Sequence, residues 1–183
     1  MKKTLVEFDS IVEDARNIFK KKLNEYGCSW RIFRMGSLTD QIFIKIIRVR
    51  NIQEKKNQKI KDETILESFM AILNYAIIGL IQLKKGSSSY VDIKEDQAIN
   101  YYNIEVEKTK KLMQDKNYDY NEAWRLMSEG SLTDMVFQKL IRVKHIEENE
   151  KDPFILNKKI EEQYIDIINY AIFFLIKAKE KLN

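Results

Sequence analysis

Two carboxylates one helical turn apart are the first residues here whose types and spacing suggest chemistry. Glu162 and Asp166 stand at i and i+4, which puts both on one face of a helix, where their oxygens can hold one hard divalent cation. Asn169 continues that stripe, and an earlier stripe carries Glu67, Ala71 and Asn74. Ala71 replaces the second acid there, so the metal candidates are Glu162 and Asp166. Ile78 and Phe173 share these stripes and imply partial burial; a narrow solvated face is the plainer reading.

A set of cations forms the second group. Lys45, Arg48 and Arg50 recur as Lys139, Arg142 and Lys144. At ~100° per residue, Arg50 and Lys144 fall inside apolar arcs, while Lys45 and Arg48 lie to one side of theirs. A cation on an apolar face must reach out along its stem or meet an acid, because unpaired burial is costly. Two readings therefore stand: ordinary interhelix ion pairs, and a cationic lining for a phosphate-bearing ligand. For the second, the candidates are Lys45, Arg48, Lys139, Arg142 and Lys144.

The string Gly-Ser-Leu-Thr-Asp occurs twice, at 36–40 and 130–134. A helix N-terminus can receive phosphate. The stronger reading is a capping box, with Ser37 and Asp40, or Ser131 and Asp134, satisfying the first N–H groups of a helix. Trp30-Arg31 and Trp124-Arg125 also recur, as core aromatics with an arginine stacking or pairing outward. The single His145 and the single Cys28 have no partners of their own kind. No Ser/His/Asp set, Gly-rich phosphate loop or zinc spacing is present.

These recurrences are one duplication. Residues 26–55 match 120–149 at fifteen of thirty positions at an offset of 94, and after one inserted residue 67–84 matches 162–179 at nine of eighteen. Each copy reads as three main helices: about 4–25, 38–56 and 62–85, then about 92–116, 132–149 and 153–181, with short helical turns near 29–34 and 121–128. Gly86 and the serines after it mark a linker, and Asp152-Pro153 marks a helix start. The expected fold is all-α: a tandem duplication of a three-helix unit packed as a pseudo-twofold helical bundle. Its repeats are 1–86 and 87–183, sharing one core.

Bulk composition agrees. The chain has 183 residues, 44% hydrophobic and 33% charged, with five Gly and one Pro, which favours helices over turn-rich strands. Its 32 basic and 28 acidic residues are interleaved, so no basic stripe points to nucleic acid. The uncharged run from Ser68 to Leu83 carries Asn74 and Gln82 and suits a buried helix better than a membrane span. A cytoplasmic location is expected, with no membrane partner; the oligomeric state stays open.

Tyr-x-x-x-Trp-Arg, then Gly-Ser-Leu-Thr-Asp, Lys-x-x-Arg and Glu-(x)6-Asn-Tyr-Ala together resemble the type 1 nucleotide modification-associated domain, whose bacterial members are often tandem. The resemblance implies an association with nucleotide or DNA-base modification. A more distant likeness is to the all-α nucleoside triphosphate pyrophosphatases of the MazG and dimeric dUTPase type, in which acids on paired helices hold magnesium. Glu162, Asp166 and Asn169-Tyr170 look like their second acidic cluster; Lys139 and Arg142 stand where the first, Glu-x-x-Glu, is expected. The resulting expectation is a phosphorylated nucleotide bound between the two repeats, with magnesium and pyrophosphate hydrolysis as the only reaction it suggests. A non-enzymatic scaffold, with purely structural polar pairs, is the alternative.

Overall fold

The computed structural model describes residues 2–59 and 63–181. Six helices run in order: α1 (Lys2–Tyr26), α2 (Met35–Lys55), α3 (Ile65–Lys85), α4 (Glu95–Tyr120), α5 (Glu129–Asn149) and α6 (Pro153–Glu180). Short 3₁₀ turns at Ser29–Ile32 and Ala123–Leu126 follow α1 and α4. Among the described residues there is no strand. The helix start expected at 62 lies outside the described residues.

Local chemistry accounts for most boundaries. Asp152 accepts from the N–H groups of Phe154 and Ile155 at 2.9 Å each, with Pro153 in the first turn of α6. Thr64 and Glu67 form a reciprocal capping box on α3. Glu67 therefore serves its own helix end. Left-handed backbone follows α1 at Gly27 and α4 at Asn121 and Glu122; Gly and Asn are the residue types that tolerate that conformation best.

The capping boxes expected at Ser37 and Ser131 do not form. Extended backbone at Arg34 and Ser128 starts α2 and α5 earlier, and Ser128, not Ser131, accepts the capping N–H at 3.0 Å. Gly-Ser-Leu-Thr-Asp is thus already helical, and its acids are released to reach another helix. Asp40 pairs with Lys144, and Asp134 with Arg50 at 3.4 Å.

Those two pairs are the same contact made twice, since Arg50 and Lys144 are repeat equivalents, as are Asp40 and Asp134. The early part of each helix meets the late part of the other, so α2 and α5 run antiparallel. Phe43 and Phe137, also equivalents, meet on the axis with centroids 5.6 Å apart. The Arg50 guanidinium lies over the Phe137 ring at 4.9 Å and the Lys144 ammonium over Phe43 at 4.8 Å. Such reciprocity defines an isologous twofold interface, here within one chain.

α3 and α6 cross in the same way beneath this pair. Phe69 stacks on Phe174 at 3.6 Å, and their repeat equivalents, Tyr164 and Gly79, meet on the other side of the axis. A single hydrophobic core runs through both repeats. α3 is long and apolar enough to cross a membrane by length and composition, yet 67% of its apolar window is buried inside the bundle. α1 rests on both α3 and α6, and so does α4, so each outer helix spans both repeats.

Gly79 is where this packing is tightest. A Cβ there would stand 2.1 Å from the Tyr164 ring, so Gly79→Ala should overpack the axis. A loss of about 1–3 kcal/mol is expected in chemical denaturation, with part of it recovered by adding Tyr164→Leu. An unchanged denaturation midpoint would disprove this account of the crossing.

Candidate functional site

Each repeat has a cleft at the equivalent place, walled by the outer helix, the 3₁₀ turn and the central helix. The first, of about 390 Å³, is lined by Lys22, Tyr26, Trp30, Asn74 and Tyr75 among others. The second, of about 340 Å³, is lined by Lys116, Tyr120, Trp124, Asn169 and Tyr170. These five pairs are identical residues at equivalent repeat positions. Both volumes lie at the small end of ligand pockets, and the apolar walls with a few polar groups fit that class.

Each cleft holds a tryptophan whose polar edge is unsatisfied. Trp30 is 7% exposed and Trp124 is 5% exposed, and neither buried indole Nε1 has a hydrogen-bond partner. A buried donor left unpaired costs about 1–3 kcal/mol, so a small shift of the cleft wall that brought a ligand's acceptor to it would be favoured. The asparagines differ. Asn74 donates to the Ala15 carbonyl at 3.0 Å and accepts from the Tyr102 hydroxyl at 2.8 Å. Asn169 Oδ1 is buried and unpartnered, and Phe8, at the repeat position of Tyr102, has no hydroxyl to offer.

Charge separates the clefts further. In the second, Asp166 receives Lys116 at 2.7 Å and Lys139 at 2.9 Å. Burial opposes its ionisation, but hydrogen bonds and charge from the two lysines outweigh burial and hold the carboxyl below its ordinary range. In the first, Ala71 takes that position, and Lys22 and Lys45 line the cleft with no carboxylate in its wall among the described residues. Lys45 instead meets Glu63 at 3.1 Å and Lys22 approaches Glu25 at 3.7 Å. The aromatic walls differ too. Phe173 stacks on Trp124 at 4.3 Å and 4°, whereas Ile78 fills that position beside Trp30.

The residues singled out in the sequence do not converge between the repeats. Lys139 and Asp166 meet, and Lys45 with Asn74 reaches the first cleft, while Asn169 lines the second. Arg48 leaves for Ser68 at 2.8 Å and for the Glu63 carbonyl. Lys144 is spent on Asp40 across the axis, and Arg142 is exposed with no partner among the described residues. Glu162 is also exposed and does not join Asp166 in the cleft wall. The donors present do not fit magnesium, which needs several oxygens. Both neighbours of Asp166 are ammonium groups, and no group of three or more His, Cys, Asp or Glu placed to hold a metal ion occurs among the described residues.

Arg31 points inward rather than outward. It is 1% exposed and bonds Asp92 at 2.7 and 3.0 Å, the Gly86 carbonyl at 2.8 Å, and Gln82. Lys22 and Lys116 went unnoticed in the sequence, although they are identical across the repeat offset and stand one helical turn before Tyr26 and Tyr120.

Fold and clefts together define a tandem helical protein whose unit is a three-helix element carrying one aromatic- and lysine-walled pocket. A model of the nucleotide modification associated domain 1 family matches residues 22–83 and again 116–178, and the chain belongs to that family, in two copies. Each match opens on the cleft lysine, Lys22 or Lys116. No curated protein and no solved structure matches the chain.

The depressed Asp166 carboxyl has a sign that can be measured. A group whose folded pKa is lowered adds stability that is complete above its unfolded value, ~3.9, and is lost as pH falls through the folded value. Asp166→Asn should cost about 1–2 kcal/mol at neutral pH, on the scale of two partly exposed pairs. That difference should shrink below pH ~4. Denaturation midpoints of the two proteins that stay parallel down to the acid limb would contradict the Lys116–Asp166–Lys139 triplet.

Proposed function

We propose that this protein binds nucleotides in the clefts of its repeats rather than between them. The observation that carries this reading is the repeated unpaired indole N–H of Trp30 and Trp124 in aromatic walls beside a lysine. A nucleobase supplies ring acceptors for such a donor and apolar faces for Tyr26, Tyr75 and their equivalents. A phosphate supplies the anion for the cleft lysines. Membership of the nucleotide modification associated family makes a nucleotide a coherent ligand. The role assigned is binding, and no bond-breaking step is attached to it, because Glu162 and Asp166 do not assemble a magnesium site.

The chain carries two tryptophans, Trp30 and Trp124, and each stands in one cleft, so intrinsic fluorescence reports on both sites without a label. Titration with deoxynucleoside 5′-monophosphates should change the emission saturably and raise the melting temperature by mass action. In Trp30→Phe and Trp124→Phe proteins the remaining signal assigns the cleft. Flat titrations with all four bases, with no thermal shift, would reject nucleotide binding and favour a scaffold whose polar pairs are structural.

A further inference from the structure

We infer that the two clefts have parted in role: the first repeat takes the phosphate-bearing ligand, and in the second the lysines and the tryptophan are already engaged by the chain's own side chains. This rests on the nucleotide-binding reading above. The argument is a comparison of equivalent positions. Where the first cleft has Ala71 near Lys22 and Lys45, the second has Asp166 bound to both equivalent lysines, Lys116 and Lys139. The carboxylate occupies the place an incoming anion would take. Where the first cleft has Ile78, the second has Phe173 laid parallel on Trp124 at 4.3 Å, and the Arg125 guanidinium lies over the same indole at 4.4 Å. The tryptophan of the second cleft is therefore already stacked by a ring and a cation.

Trp30 has no parallel ring on it, and the cation over it stands farther off. Its nearest ring, Phe19, is tilted by 48° at 6.5 Å, and the Arg31 guanidinium lies 5.8 Å away, drawn off to Asp92. The first cleft thus offers two ammonium groups and, among the described residues, no wall carboxylate and an indole not stacked by any ring. An aromatic ring carrying an anionic group matches both halves of that description. Glu63, 39% exposed at the side chain, is the competitor for Lys45 that the ligand must displace or tolerate.

Calorimetry and fluorescence on the full chain test this, with deoxynucleoside 5′-monophosphates, the parent nucleosides and inorganic phosphate as probes. The unaltered protein should bind one monophosphate, with the signal surviving in Trp124→Phe and lost in Trp30→Phe. The monophosphate should bind at least tenfold more tightly than its nucleoside, and phosphate alone should compete weakly. Asp166→Ala combined with Phe173→Ile should free the lysines and the tryptophan of the second cleft and raise the stoichiometry to two. Ala71→Asp should weaken the first cleft at least tenfold, while Ala71→Asn, of similar size without charge, should retain most of the affinity. The asparagine variant and circular dichroism separate a charge effect from misfolding.

Two equal sites in the unaltered protein, or stoichiometry and phosphate preference untouched by these exchanges, would overturn the division of roles while leaving nucleotide binding intact. Absence of any binding in every variant would remove both. Binding of nucleoside and monophosphate with equal affinity at the first cleft would overturn the anion assignment alone.

Discussion

The structure depends on one burial demand: α3 and α6 carry apolar residues on nearly every side, and neither repeat has enough surface to cover its own. Residues such as Ile72, Ile77, Ile168 and Ile172 are fully or almost fully buried, each stabilising the fold by about 1.5–3 kcal/mol relative to exposure. The available solution is to cross the two helices on each other and roof them with α2 and α5. Once that crossing is made antiparallel about a twofold axis, the remaining contacts come in exchanged pairs. Asp40 with Lys144 and Asp134 with Arg50 follow from it, as do Thr39 with Glu147 at 3.2 Å and Gln53 with Thr133 at 3.0 Å. The outer helices then lie at the periphery, and each leaves a cleft against its own central helix.

A duplication inside one chain loosens what symmetry would enforce in a dimer. In a homodimer every substitution appears on both sides of the axis, so an asymmetric solution is unreachable. Here Phe174 gains a stacking partner in Phe69 because its equivalent, Gly79, gives up a side chain to admit Tyr164. Tyr102 satisfies Asn74, while Phe8 leaves Asn169 Oδ1 orphaned. The second change sacrifices a hydrogen bond without an evident packing gain, on the order of 1–3 kcal/mol for a buried acceptor. Polar groups left in this state at a cleft wall are where an external partner gains most.

The fold was legible because its signals are local and doubled. Helical periodicity, the Asp152-Pro153 start and Gly86 each act within a few residues, and the offset of 94 repeats most of them. The helix starts before Gly-Ser-Leu-Thr-Asp were misread because the true cap is a serine, Ser128, in only one copy; its equivalent is Arg34, which carries no capping oxygen. Arg50 and Lys144 were correctly placed among apolar residues, yet their ring partners lie on another helix. The burial of Arg31 was invisible for the same reason, since Asp92 is remote in sequence. The site was least legible. Lys22 and Lys116 lie just outside the stretch where the copies match best, and a cleft exists only once three elements are assembled around it.

Electrostatics then decides which cleft suits an anion. Two ammonium groups facing an incoming phosphate attract it with about 1 kcal/mol per charge pair at 4 Å in water, and about 4 kcal/mol at the effective dielectric of a protein surface. A carboxylate lodged between them repels the phosphate on the same scale and also draws down the attraction of both lysines. Even the lower figure approaches the 1.4 kcal/mol that separates affinities tenfold. The single exchange of Ala71 for Asp166 is therefore large enough to set the preference of each cleft. The wider fold, which holds the lysines at equivalent places in both repeats, makes that one side chain the variable.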